Sequence, residues 1–71
     1  DPSHTDAMYR AGNLLMEGGD YKNAIAYFDR VLDRNPDSSV AWFAKGKALQ
    51  RRGQQKDADR CFERASKLAS R

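Results

Sequence analysis

The sequence has 71 residues, which is enough for one domain with a small core. Charged residues make up 32% and aromatic residues 10%, so the composition favours a folded chain over a disordered one, and no apolar run approaches the length of a membrane span. One cysteine cannot form an internal disulfide, and no signal-peptide pattern is present. A cytoplasmic location and the absence of a membrane partner are therefore expected.

The net charge of +3 is unevenly distributed. Residues 1–37 contain four basic and seven acidic residues, which sum to −3, whereas residues 38–71 contain nine basic and three acidic, which sum to +6. One explanation of this charge difference is that the solvent-exposed faces of the helices differ in charge and that the difference has no function. Alternatively, one half meets an acidic partner, or copies of the chain meet head to tail.

Apolar residues recur at helical spacing throughout the chain and predict two helices in its first half, over residues 5–17 and 20–34. Gly18 and Gly19 can adopt the left-handed conformation that ends a helix. Asp20 can then cap the second helix through its side chain. Pro36 cannot continue that helix.

Two further helices are predicted in the second half, over residues 38–52 and 55–69. Asp37 or Ser38 can cap the third helix, and Gly53 repeats the stop signal, followed by the poorer cap Gln54. Because the loops are short, each pair of helices should fold back on itself as an antiparallel hairpin. The fold class expected is all-α, without strands.

The two halves share a pattern at a spacing of 34 residues: Gly12, Gly19, Ala24 and Phe28 recur as Gly46, Gly53, Ala58 and Phe62. A glycine inside a helix costs about 1 kcal/mol relative to alanine. The repeated choice of Gly12 and Gly46 therefore indicates close contact with the facing helix. Trp42 is expected at the junction of the two hairpins, in one core with Phe28 and Phe62.

This series of residues resembles the tetratricopeptide repeat, a helix–turn–helix unit of 34 residues. The resemblance implies one superhelical, helical-hairpin solenoid domain over 1–71, with repeats at about 5–38 and 39–71. The residues that carry it are Gly12, Gly19, Ala24, Phe28, Pro36, Trp42, Gly46, Gly53, Ala58 and Phe62.

The second unit departs from the family at positions that are usually apolar, where it has Lys45, Gln55, Asp59 and Ser66. The fourth helix is therefore expected to face water, with Asp59, Glu63 and Lys67 on a polar outer surface. This polarity favours the interpretation that the second unit is the natural last unit of a repeat array. The alternative is that the sequence is a truncated piece of a longer array. Two units are fewer than the roughly three that usually make a stable core, so further repeats in the parent chain, a partner or a second copy are expected.

Catalytic residues, metal ligands and a cofactor are not expected. His4 is the one histidine and lies in an N-terminal tail that is expected to fray. Cys61 has Arg60 and Arg64 nearby, which could lower the pKa of its thiol. It occupies the position of Tyr27 in the first unit, however, so packing explains it better. An enzyme is therefore disfavoured.

The resemblance implies that the first helix of each unit lines a concave groove. On the first helix the candidate residues are Asp6, Tyr9, Arg10, Asn13, Met16 and Glu17, and on the third they are Val40, Phe43, Ala44, Lys47, Gln50 and Arg51. Tyr9 and Phe43 are candidate anchors, Asn13 and Gln50 could hold a peptide backbone, and Lys47 and Arg51 could pair with an acidic group. The alternative is that both rings support helix packing and the charges are solvated.

The leading hypothesis is a protein interaction module that binds an acidic peptide or a partner helix and performs no chemistry. A self-assembly module is the second hypothesis. Nucleic-acid binding through the basic second half ranks lowest, because residues such as Lys45, Lys47 and Arg52 surround the helices and do not share a face.

Overall fold

The structure, a computed structural model, describes residues 2–71. Within that range it contains four helices and no strand: α1 (Pro2–Glu17), α2 (Tyr21–Arg34), α3 (Ser39–Arg51) and α4 (Gln55–Ala69). The predicted all-α fold of two helical hairpins is thereby confirmed. No helix in residues 2–71 combines the length and the apolarity that crossing a bilayer requires.

The first helix starts earlier than predicted. It begins at Pro2 and not at Thr5, so His4 lies within α1. Proline is favoured at the first position of a helix, because its fixed φ suits the helix and its missing N–H has no intrahelical acceptor there. The remaining boundaries lie within one residue of those predicted.

Two turns of the same design close the hairpins. Gly19 and Gly53 both have φ 82°, the left-handed conformation that glycine adopts without strain. The residue that follows each glycine donates its backbone N–H to the carbonyl of the residue five positions before it. These bonds are Asp20 N to Leu15 O at 2.8 Å and Gln54 N to Leu49 O at 2.9 Å. These bonds satisfy carbonyls at the ends of α1 and α3 that have no partner within the helix.

The helix caps differ between the two hairpins. The Asp20 carboxylate accepts a hydrogen bond from the amide N of Asn23 at 3.4 Å and another from its side-chain Nδ2 at 2.8 Å. At the start of α3 the capping residue is Ser38, whose hydroxyl accepts from Ala41 N at 3.2 Å. Gln54 makes no side-chain cap.

Within each hairpin a glycine lies under an aromatic ring. A Cβ added at Gly12 would lie 2.5 Å from Cε1 of Phe28, and one added at Gly46 would lie 2.7 Å from Cε1 of Phe62. Neither distance leaves room for a methyl group. The glycine is therefore required by the ring that packs on it, and in the second hairpin also by the Ala58 carbonyl at 3.2 Å.

The two hairpins meet where α2 packs against α3. Trp42 is half-buried at this junction and packs against two clusters of buried residues: Val31, Leu32 and Ala41 in one, and Leu49, Ala58 and Cys61 in the other. Its indole Nε1 donates to the carbonyl of Pro36 at 2.9 Å.

The expectation of one core for Trp42, Phe28 and Phe62 is wrong for Phe28. Phe62 packs against the second of the Trp42 clusters, but Phe28 belongs to a separate cluster with Ala24, Ala44 and Ala48. The α3 members of the Phe28 cluster are the small residues Ala44 and Ala48.

The polar positions of the second unit have two different environments. Gln55, Asp59 and Ser66 are exposed, as the sequence predicts. Lys45 is half-buried, and its Nζ lies 2.6 Å from Oδ1 of Asp29 on α2. An ion pair between the hairpins thus involves a position where the resemblance leads one to expect an apolar residue.

Candidate peptide-binding groove

A groove of about 360 Å³ runs between α1 and α3, the first helices of the two hairpins. Residues spaced by three and four positions share one side of a helix, and this spacing brings the lining residues together. From α1 they are Tyr9, Asn13, Met16 and Glu17, and from α3 they are Phe43, Ala44 and Lys47.

Five of the twelve predicted groove residues do not line this groove: Asp6, Arg10, Val40, Gln50 and Arg51. Arg10 makes an ion pair with Asp6 on its own helix, with Nη2 at 3.4 Å from Oδ2. Gln50 donates from Nε2 to Oε1 of Gln55 at 3.4 Å, across the turn to α4. Arg51 is exposed in the last turn of α3, one helical turn beyond Lys47.

Tyr9 and Phe43 have different roles in the packing. Tyr9 is half-buried, and its ring centroid lies 5.9 Å from that of Phe28 at an interplanar angle of 47°. Phe43 is 52% exposed, although its ring contacts Phe62 at 5.4 Å. Tyr9 is thus a support that also faces the groove, whereas Phe43 keeps a large apolar surface open to a ligand.

The groove presents one charge of each sign on facing helices. Glu17 contributes a carboxylate from the end of α1, and Lys47 contributes an ammonium from α3. The Nζ of Lys47 lies 5.7 Å from the centroid of Phe43, within the range of a cation–π contact. The exposed ring of Phe43 therefore lies beside a positive charge.

Cys61 lies outside the groove and is buried. Burial is the largest influence on its thiol and raises the pKa above the ordinary value, and the nearby Lys45 opposes that shift only in part. The expectation that Arg60 and Arg64 could lower this pKa is therefore wrong. Both arginines are exposed on the same helix, where water screens their charges, and the thiol stays protonated at neutral pH.

No group of three or more His, Cys, Asp or Glu side chains within the described part of the chain is arranged to hold a metal ion. The groove offers amide, carboxylate, ammonium and aromatic groups, which suit recognition of another polypeptide.

Two family models for the tetratricopeptide repeat match the sequence, one over residues 6–38 and the other over residues 27–60. The first covers most of the first hairpin, and the second runs from α2 through α3 into α4. The sequence is also 36% identical over 56 residues to an uncharacterized protein of Methanocaldococcus jannaschii. That match covers 79% of this chain and 65% of the archaeal protein, so the chain spans less than two thirds of the length of this relative. The two family models, the 34-residue spacing and the paired helical hairpins all agree. The chain therefore belongs to the tetratricopeptide repeat family.

Proposed function

We propose that this chain is a protein interaction module that binds an extended peptide or a partner helix in the groove between α1 and α3. Tetratricopeptide repeats are in general protein interaction modules and typically have no catalytic activity. The observation that carries the proposal is the half-exposed ring of Phe43 beside the ammonium of Lys47, in a groove formed by both hairpins. The proposed activity is binding alone.

The apolar part of the ligand packs on Phe43. Large rigid rings contribute strongly to binding because they bury much apolar area at a small entropic cost. Asn13, on the facing helix, supplies an amide that can donate to and accept from a peptide backbone. Phe43 thus holds a side chain of the ligand, and Asn13 holds its main chain.

The acidic group of the ligand lies against α3. Lys47 lines the groove and Arg51 follows one helical turn later, so both can pair with a carboxylate. Glu17 on the opposite side repels a second acidic group and favours an amide or a basic side chain there. The preferred ligand therefore carries a hydrophobic residue next to a single acidic one.

Selection from a random peptide library on the 71-residue chain tests this specificity, since no partner is needed in advance. The selected peptides should be enriched in an acidic residue adjacent to an aromatic or aliphatic one. The double variant Lys47→Glu with Arg51→Glu should weaken binding of a selected peptide by roughly 1–3 kcal/mol and flatten its salt dependence. Exposed charges contribute little to stability, so the variant should stay folded.

A matched control is Lys56→Glu with Lys67→Glu, which makes the same charge change on exposed positions of α4. This control should bind the peptide as the parent does. Equal losses in both double variants would mean that net charge, and not the groove, attracts the ligand. Ligand-induced NMR shifts around Arg30, Arg60 and Arg64, with the groove unmoved, would refute the proposal.

A further inference from the structure

A second groove continues the groove between α1 and α3 toward the start of both helices. It has a volume of about 530 Å³, and we name it the Asp6 groove; the residues that line it include Asp6, Tyr9, Val31, Asn35, Ser38 and Val40. Tyr9 also lines the groove between α1 and α3, so the two grooves meet at this ring. Asp6 and Val40, which the sequence analysis placed on the peptide groove, therefore lie on its continuation.

The Asp6 groove is formed where three segments of the chain meet. The first half of α1 supplies Asp6, the end of α2 supplies Val31, and the start of α3 supplies Val40. Hydrogen bonds order the backbone between α2 and α3: Asn35 N donates to Val31 O at 2.8 Å, and the Ser38 hydroxyl caps α3. The groove is thus formed before a ligand binds, which lowers the entropic cost of binding.

The carboxylate of Asp6 is the one charged group among the described residues that line the Asp6 groove. Its ion pair with Arg10 joins side chains that are 64% and 77% exposed, and pairs of this kind contribute little to stability. Arg10 lines neither groove. A cation from a ligand can therefore replace Arg10 on Asp6 without disturbing a buried contact.

We propose that the Asp6 groove is a second subsite for the peptide and binds a basic side chain, lysine or arginine, at Asp6. This subsite rests on the function proposed above and adds to it, because the ligand then carries a basic group at the Asp6 end and an acidic group at Lys47. Val31 and Val40 supply apolar walls for the methylene groups of the basic side chain.

The distance between the two ends sets the spacing of the charges in the ligand. Asp6 and Asn13 are seven residues apart on α1, which is about 10 Å along the helix axis. Lys47 lines the same groove as Asn13 and so lies near its level. An extended peptide covers about 10 Å in three residues, at about 3.3 Å each. The basic residue of the ligand therefore lies three positions from the acidic one.

The amide of Asn13 favours an extended ligand over a helical one. It lines the groove that holds the acidic end and can both donate to and accept from backbone groups. An extended chain has backbone N–H and C=O groups free for these bonds, whereas a helix pairs them internally. A helix also needs about seven residues to cover the same 10 Å, so the spacing of the charges distinguishes the two ligands.

The uneven charge of the sequence agrees with a ligand of this polarity. Asp6 belongs to residues 1–37, with a net charge of −3, and Lys47 and Arg51 belong to residues 38–71, with a net charge of +6. A peptide with opposite charges at its two ends is attracted in one orientation and repelled in the other. The two halves of the chain thus orient the ligand in the groove.

Fluorescence anisotropy with four labelled peptides, blocked at both ends, tests the subsite on the 71-residue chain. The first peptide contains lysine, serine, leucine and aspartate in that order, and the second contains them in reverse, which covers both directions of the chain. The third is the tighter binder of these two with glutamine in place of lysine. The fourth is the same binder with its lysine moved to seven positions from the aspartate. We expect the third and fourth peptides to bind about three- to tenfold more weakly.

The variant Asp6→Asn assigns the effect to the Asp6 groove. It should bind the lysine peptide as weakly as the parent binds the glutamine peptide, and it should no longer distinguish the two. Asp33→Asn makes the same charge change at an exposed position of α2 that lines neither groove, and it should keep the preference for lysine. Circular dichroism checks the fold, and Asp6→Gln takes the place of Asp6→Asn if that variant is unfolded.

The outcomes separate the subsite from the peptide groove itself. If lysine and glutamine peptides bind the parent equally, or if Asp6→Asn keeps the preference for lysine, the subsite is refuted while the proposed function stands. Tightest binding by the peptide with lysine seven positions away would overturn the extended conformation. If none of the four peptides binds, the proposed function fails, and the subsite fails with it.

Discussion

The ammonium of Lys45 and the carboxylate of Asp29 form the ion pair that links the two hairpins, with Nζ and Oδ1 2.6 Å apart. The Lys45 side chain is 23% exposed and that of Asp29 is 48% exposed, so protein shields the pair partly from water. Lys45 Nζ also lies 5.7 Å from the centroid of the Trp42 ring. One cation therefore contributes to both polar and aromatic contacts at the junction.

A double-mutant cycle with Lys45→Met and Asp29→Asn should reveal this coupling. We expect an interaction energy in the upper part of the range of about 0.2–1 kcal/mol that is measured for exposed pairs, because partial burial reduces screening. The matched cycle uses Arg10→Met and Asp6→Asn, a pair at 3.4 Å whose side chains are 77% and 64% exposed. Urea unfolding followed by circular dichroism measures both cycles. A larger coupling in the exposed pair would contradict the assignment of Lys45 to the junction.

Gly12→Ala should destabilise the fold even though alanine is the better helix former. The added methyl group would meet the buried ring of Phe28, and overpacking of this kind typically costs about 1–3 kcal/mol. Gly18→Ala is the control, because the nearest atoms to its added methyl group lie 3.7 Å away. Thermal unfolding should separate the two variants. If Gly12→Ala melts at or above the temperature of Gly18→Ala, the ring does not require the glycine.

Gln54→Ser should stabilise the second hairpin by supplying the cap that α4 lacks. The backbone at Gln54 has φ −95° and ψ 66°, close to the φ −89° and ψ 69° of the capping residue Asp20. A side-chain cap is worth about 1 kcal/mol. Serine suits this position better than aspartate, because Asp57 stands where Asn23 donates to Asp20 in the first hairpin, and two carboxylates would repel. If Gln54→Ser and the parent have the same free energy of unfolding in urea, the missing side-chain cap does not limit the stability of α4.

Substitutions of Trp42 should separate its packing from its hydrogen bond. Trp42→Ala removes a side chain that packs against two buried clusters and should cost about 3–5 kcal/mol. Trp42→Phe keeps most of the packing but loses the hydrogen bond to the Pro36 carbonyl, and should cost about 0.5–1.5 kcal/mol. Urea unfolding followed by circular dichroism measures both. A Trp42→Phe variant as unstable as Trp42→Ala would mean that the hydrogen bond matters more than the packing.

The thiol of Cys61 should make stability fall at alkaline pH. Burial raises its pKa in the folded chain above the ordinary value of 9.0, so the unfolded chain releases this proton at a lower pH than the folded chain does. The thiol therefore contributes its full stabilisation below 9.0 and loses it as the pH rises through the folded pKa. The difference in unfolding free energy between the parent and Cys61→Ala, measured across this range, isolates the effect. It should be constant at neutral pH and shrink above 9.0, and a difference that grows there would contradict burial of the thiol.

Local chemistry made the helices and turns predictable. The conformation of Gly19 and the cap at Asp20 depend on residues within one turn, so the sequence alone indicates both. Pro2 shows the limit of that approach, because proline both begins and ends helices and its neighbours did not decide between the two.

The groove was less predictable, because it depends on the packing between helices. Helical spacing placed Tyr9 and Lys47 on the groove side, but it could not indicate that Gln50 would turn to Gln55 across the loop. The sequence also did not indicate that Phe28 and Phe62 belong to separate core clusters. Ala44 and Ala48, which pack with Phe28, look like any other small apolar residues in a sequence pattern.

The order in which the helices pack has a consequence for folding kinetics. α1 packs on α2, α2 on α3 and α3 on α4, so most contacts join segments that are adjacent in the chain. Chains dominated by local contacts fold fast, on the order of microseconds to milliseconds, because little loop entropy is lost before contacts form. Trp42 touches both hairpins, so its fluorescence should follow the formation of tertiary packing, whereas circular dichroism follows the formation of helix.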